Sequence, residues 1–387
     1  EVRGYKVYRS GLFLKEVKTT NTFDISNNSP HKFCYSVSAI DSSGNESAQS
    51  EQVCISDPIL KPYKYLGAFV PGWHWGQWSE VIDDDLIQAA KKNGITVFHL
   101  MLPYFEYPLG TYREGELGKL DHFLDIASKN NTYAMISFIH AYGITLSNSD
   151  PYYHPAGIEG LMFDERLKIA FKNRIRHIIK RRNSVNGKLY KEDPTILAWI
   201  VCDEPISAPF NYSVRPPDIT AAQFKSWLEE MTSYIKGLDP NHLVTVFIQP
   251  AFSTLKEGDW VEALNLSSLD FIYGEDADMR VLNYFPHLTD QYSSRLFELN
   301  KPVVVMLSFT SGEWDQASIC KDYNFQADLL EKAINRYFDL GARGLTIFSW
   351  GSKLYSSIPS YDQCFNYNEE NAPICTVLKK IGSTLNQ

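Results

Sequence analysis

DPTILAWIVCDEP, residues 193–205, is a run of seven apolar residues closed by two carboxylates and a proline. An unbroken apolar run of this length is the pattern of a strand buried on both faces, as in a parallel sheet. Before it stands FDERLKIAFKNRIRHIIKRR (163–182) and after it AAQFKSWLEEMTSYIKGL (221–238), each with apolar residues at helical spacing. LVTVFIQ (243–249) then gives the next buried strand. Working outward, the same alternation continues in both directions. Strands read at 65–70 (YLGAFV), 95–102 (ITVFHLML), 133–139 (YAMISFI), 269–274 (LDFIYG), 302–308 (PVVVMLS) and 344–349 (GLTIFS). Helical stretches stand at DDDLIQAAKKNG (83–94), LDHFLDIASKN (120–130) and QADLLEKAINRYFDLG (326–341). Eight such strands interleaved with helices predict an α/β fold, a closed (β/α)8 barrel of the TIM type spanning 58–387.

Residues 1–57 follow a different rule. GYKVYRS, NTFDIS, HKFCYSVSAID and EQVCIS alternate apolar and polar residues with period two, and DSSGNES supplies a turn between them. This predicts a small antiparallel β unit. The run YSVSAIDSSGNES (35–47) resembles the last hairpin of a fibronectin type III domain. A sandwich of that kind takes about 100 residues, so the expectation is a partial β-sandwich and neighbouring domains in a longer chain.

The net charge is −9 and the pI about 5.5. The longest basic run, RHIIKRR (176–182), reads as a solvated helix face, which argues against a nucleic-acid partner. No stretch of about 18 apolar residues is present to insert in a membrane. The six cysteines form no C-x-x-C pair, and Cys34 and Cys54 fall on strands where they can face each other. N-x-S/T triplets begin at Asn27, Asn45, Asn130, Asn211 and Asn265. Together these features predict an extracellular, secreted glycoprotein with disulfides.

In a barrel of this type the chemistry sits at the carboxyl ends of the strands. Asp203 and Glu204 end the fourth, and two carboxylates projecting from an apolar run are costly unless they are paired or used. The surrounding sequence, from the long helix through RRN-x-x-x-G-x-x-Y (181–190) and DPTI-x-AW (193–199) to DEP (203–205), resembles the β-mannanases of glycoside hydrolase family 5. FKSWLEEMTSYIKGLDPNHLVTV (224–246) resembles the next helix and strand of the same enzymes. The resemblance implies retaining hydrolysis of a β-linked polysaccharide or glycan, with Glu204 as acid/base and no cofactor. It places Asp203 where the family has an Asn that holds the sugar 2-hydroxyl.

Other family positions differ. The nucleophilic Glu expected at the end of strand seven is replaced by Ser308, and the strand-two Arg by a residue near His99. The second carboxylate is then either Glu275, after strand six, or Glu313. Two alternatives stand beside this reading. One is a substrate-assisted N-acetylhexosaminidase using the pair Asp203–Glu204; the other is a catalytically silent glycan-binding or scaffold protein. Aromatic residues suited to stacking on sugar rings are Trp73, Trp75 and Trp78 in PGWHWGQWSE, with His140 and Tyr142 after strand three, Tyr273, Trp314, and Trp350 after strand eight. Trp350 matches the residue that family members place beneath the sugar. GxSxG, GxxxxGK[ST], HExxH and GxGxxG are all missing from the sequence, and the loop EDAD (275–278) lacks metal-ligand spacing.

Overall fold

The computed structural model describes residues 2–9, 12–18, 33–55, 64–70, 84–102, 105–141, 152, 158–207, 218–250, 253, 255, 258–276, 294–308, 323–348, 350 and 372–385. The chain divides into two units, Glu1–Tyr63 and Lys64–Gln387.

The first unit is an antiparallel sheet of β1 (Val2–Arg9), β2 (Leu12–Val17), β3 (Phe33–Asp41) and β4 (Val53–Ile55), in the order β2-β1-β3-β4. Strand β2 was not legible, because Leu12, Phe13 and Leu14 stand consecutively and break the period-two pattern. The expected strand NTFDIS lies outside the described residues. The β3–β4 register sets Cys34 directly opposite Cys54. On one face, Lys6 Nζ and Ser38 Oγ each donate to Glu46 at 2.6 Å, and the Tyr8 hydroxyl donates to it as well. These bonds, Lys6 first, hold the Glu46 carboxyl down at about 2.

The second unit is the barrel. Its strands are β5 (Tyr65–Phe69), β6 (Ile95–Met101), β7 (Tyr133–Ser137), β8 (Ile196–Asp203), β9 (Leu243–Ile248), β10 (Ile272–Asp276), β11 (Val303–Ser308) and β12 (Gly344–Phe348). Each pairs in parallel with its sequence neighbours, and β12 pairs with β5 to close the ring. The helices pack outside. Thr220 and Gln223 form a reciprocal cap at the start of Ala221–Leu238, and Asp164 caps Glu165–Ile179 by accepting from Arg166 N. No described helix is long and apolar enough to cross a membrane.

Two expectations change. Strand six begins at Ile272 rather than near 269, because Asp270 is spent as a staple: its Oδ2 accepts from Val244 N at 2.7 Å. Glu275 therefore stands within the strand, not after it. The basic run 176–182 is also not solvated throughout. Ile178 and Ile179 are buried, and Arg181 meets Asp121 twice, Nε to Oδ1 at 3.0 Å and Nη2 to Oδ2 at 2.6 Å. Tyr190 and Ser184 donate to the same buried carboxylate.

Candidate active site at the carboxyl ends of the strands

β8 delivers two carboxylates in two different ways. Asp203 is the last strand residue and is 1% exposed; its N donates to Ile139 O at 2.9 Å. Glu204 then leaves the strand with φ +57°, in the left-handed region that a residue with a Cβ rarely enters. Its N donates to Phe247 O at 2.9 Å and its carbonyl accepts from Ser207 N, so the backbone around it holds the conformation. Backbone strain of this kind belongs to sites where the surroundings fix a side chain in one direction.

His140 is the hub. Its Nε2 stands 3.7 Å from Glu204 Oε2. Burial alone would lower the His140 pKa, but the Glu204 contact and the charges of Glu204, Asp203 and Glu275 outweigh it and raise the value. The charges of three carboxylates from the sequence reading thus act on one imidazole, with Glu204 in direct contact. Glu275 is 6% exposed and accepts from Gln249 Nε2 at 2.5 Å, which fixes its direction. Gln249 follows β9 and carries a signal the sequence did offer: it is a polar residue ending the apolar run VTVFI.

Beneath these groups the barrel interior holds a polar layer. His99 from β6 stands with Nε2 3.3 Å from Asp203 Oδ1, and its Nδ1 lies 3.1 Å from the Tyr273 hydroxyl. That hydroxyl meets Thr346 Oγ1 at 2.9 Å. Burial drives the Tyr273 phenol well up; the Thr346 bond opposes this and the charges of Asp203 and Glu275 add to it, so the hydroxyl keeps its proton. Tyr273 is fully buried, and both described neighbours of its hydroxyl belong to the barrel. Trp350 is 1% exposed, its N donates to Phe69 O at 2.9 Å, and its side chain belongs to the hydrophobic core. Trp73, Trp75, Trp78, Tyr142, Glu313 and Trp314 lie outside the described residues. Among the described residues no group of three or more His, Cys, Asp or Glu side chains is arranged to hold a metal.

Comparison with known proteins fits this geometry. Residues 147–272 match the family model described as GH family 5 beta-mannosidase-like. Mannan endo-1,4-beta-mannosidase 5 of Arabidopsis thaliana is 24% identical over 326 residues, covering 69% of this chain and 72% of the relative. Mannan endo-1,4-beta-mannosidase 7 of Oryza sativa subsp. japonica is 30% identical over 139 residues, 35% of this chain and 32% of the relative. The structure of the endo-1,4-beta-mannanase from Rhizomucor miehei superposes with a TM-score of 0.64 at 16% identity, covering 88% of this chain and 97% of that one; at this identity the likeness speaks for the barrel alone. The class that emerges is a glycoside hydrolase built on a (β/α)8 barrel. Within that class the chain is similar to the family 5 β-mannanases, through a matched segment that carries β8, β9 and the Asp203–Glu204 pair.

Proposed function

We propose that this protein hydrolyses O-glycosidic bonds in a β-linked, mannan-type polysaccharide, with Glu204 as acid/base and Glu275 as the second carboxylate. The observation that carries this reading is a pair of carboxylates at the ends of β8 and β10, Glu204 in contact with His140 and buried Glu275 acting on the same ring through its charge. In the first half-reaction the Glu204 proton passes to the glycosidic oxygen and the C–O bond breaks, while a Glu275 oxygen bonds the anomeric carbon. In the second, Glu204 as carboxylate takes a proton from water, whose oxygen displaces Glu275. Gln249 supports this role by fixing the direction of the Glu275 carboxylate through its Oε2.

A second reading rests on Asp203, whose carboxylate is sealed from solvent with Oδ1 3.3 Å from His99 Nε2 and, among the described residues, accepts no hydrogen bond of ordinary geometry. Beside Glu204, that carboxylate suits a substrate-assisted N-acetylhexosaminidase, in which the acetamido oxygen replaces Glu275. Release of reducing sugar from β-mannan and from N-acetylhexosamine glycans separates the two. Under the first reading Glu204→Gln and Glu275→Gln each lower mannan hydrolysis by at least about a hundredfold. Activity confined to acetamido sugars and indifferent to Glu275→Gln would establish the second. Binding of glycan without cleavage would leave a silent binding protein. A fibronectin-like role for the first unit, a Cys34–Cys54 disulfide and a secreted setting complete the proposal, supported by the facing register of the two cysteines.

A further inference from the structure

A groove of about 680 Å³ runs along the C-terminal end of helix Glu165–Ile179, on the outside of the barrel and lined by residues from two stretches, 110–114 and 173–182. Two aromatic rings line it, and Tyr112 also stacks on Phe105 at 5.9 Å. The rings of Tyr112 and His177 stack at 3.9 Å with an 18° interplanar angle. Burial pushes the Tyr112 phenol up to about 12, with the Glu106 charge adding to it against those of Arg174 and Arg176, so it stays neutral.

The acid that lines the groove is already spent. Glu114 gives one oxygen to His177 at 2.9 Å and the other to Arg181, which also holds Asp121. Three cations remain. Arg176 donates to the Asn173 amide oxygen and Arg182 to the Gly187 carbonyl, both neutral acceptors. Among the described residues no carboxylate lies within 4.0 Å of these two or of Lys180, and all three are exposed. In a chain of net charge −9, three uncompensated cations around a stacked aromatic pair form a local field opposite in sign to that of the whole. Sugar rings pack on aromatic faces, and guanidinium groups take sulfate and carboxylate in paired geometry.

We infer that this groove is a second glycan-binding site, selective for acidic oligosaccharides that bear sulfate or carboxylate groups. It is built from residues outside the strand-end site and does not depend on hydrolysis there.

The test is titration calorimetry of the full chain with a sulfated hexasaccharide, an oligogalacturonide, neutral mannohexaose and inorganic sulfate. Three variants are compared with wild type: Arg176→Gln/Lys180→Gln/Arg182→Gln, His177→Ala and Glu204→Gln. At least one of the two acidic oligosaccharides is expected to bind at low salt and weaken as ionic strength rises. The triple variant should lose about tenfold or more of that affinity, the sum of three exposed charge contacts, and His177→Ala should lose severalfold. Glu204→Gln should change nothing. All three exchanged side chains are exposed, and an unchanged circular dichroism melt shows that the variants fold. Undiminished binding by the triple variant, no binding of either acidic oligosaccharide, or inorganic sulfate binding as tightly as the oligosaccharides would each overturn the inference. Loss of mannan hydrolysis in Glu204→Gln with this binding intact tests the strand-end reading separately.

Discussion

Glu204 has a positive φ in a protein where, among the described residues, only Asn131 of the other non-glycine residues shares that feature. Such a conformation costs on the order of 1–3 kcal/mol for a residue with a Cβ, and glycine removes that cost. Ordinarily Ala is the more stabilising of the two, by about 0.4–1 kcal/mol through the unfolded chain. At position 204 the order should invert: Glu204→Gly should unfold at higher urea than Glu204→Ala, by about 1 kcal/mol, with both inactive. The opposite order would mean that the turn relaxes once the carboxylate is gone and that nothing there is held under strain. At this scale the sequence was partly legible. An acid pair closing an apolar run announces itself, since burial of charge demands a reason. Glu275 was visible as a candidate but not as a strand residue, because the staple at Asp270 that shifts β10 depends on Val244, distant in sequence. The depth of Tyr273 and Trp350 was not legible, because a residue's type does not tell which side of a strand end it faces. In the structure both are core.

Strands β5 to β12 were found from apolar runs and helix periods alone, and their boundaries moved by only a few residues. Close approaches between elements were not legible, since they depend on what a side chain would strike. The helix Ala372–Leu385 rests on the turn before β6, where Gly94 has φ +82°. A Cβ on Gly382 would stand 2.7 Å from the Gly94 Cα, backbone that has no rotamer with which to yield. Gly382→Ala should therefore destabilise the barrel by about 1–3 kcal/mol, the cost of overpacking. Gly237, near the end of helix Ala221–Leu238, has nothing within 4 Å of its Cβ position and serves as the contrast. Gly237→Ala should stabilise by up to about 1 kcal/mol through helix propensity. Urea unfolding of both variants checks the pair. Equal effects would show that the C-terminal helix shifts freely on the barrel wall.

At the scale of the whole molecule, the barrel was predictable because eight repeats of one pattern leave few other ways to bury both faces of every strand. The buried charges were not, since Asp121 depends on Arg181 sixty residues on and Asp239 on Trp199 forty residues back as well as on nearby His242, and they set how stability responds to pH. Burial alone would raise Asp121 and Asp239. In Asp121, Arg181 with the Tyr190 and Ser184 hydroxyls outweighs burial; in Asp239, His242 and the Trp199 indole do, and both carboxyls end below their usual values. A depressed carboxyl adds stability that is fully present above its unfolded value, about 3.9, and is lost as pH falls through the lower native one. His140 works in the opposite direction. Its native value is raised above 6.5, so its contribution is complete below pH 6.5 and fades as pH rises through the native value. The two limbs leave maximal stability between about pH 4 and 6.5, with a decline on either side. Urea midpoints measured from pH 2 to 9 should trace this dome. Asp121→Asn and Asp239→Asn should flatten its acid limb, and His140→Gln its neutral-to-alkaline limb. An alkaline decline that survives in His140→Gln would show that the carboxylates of Glu204, Asp203 and Glu275 do not draw the proton onto that ring.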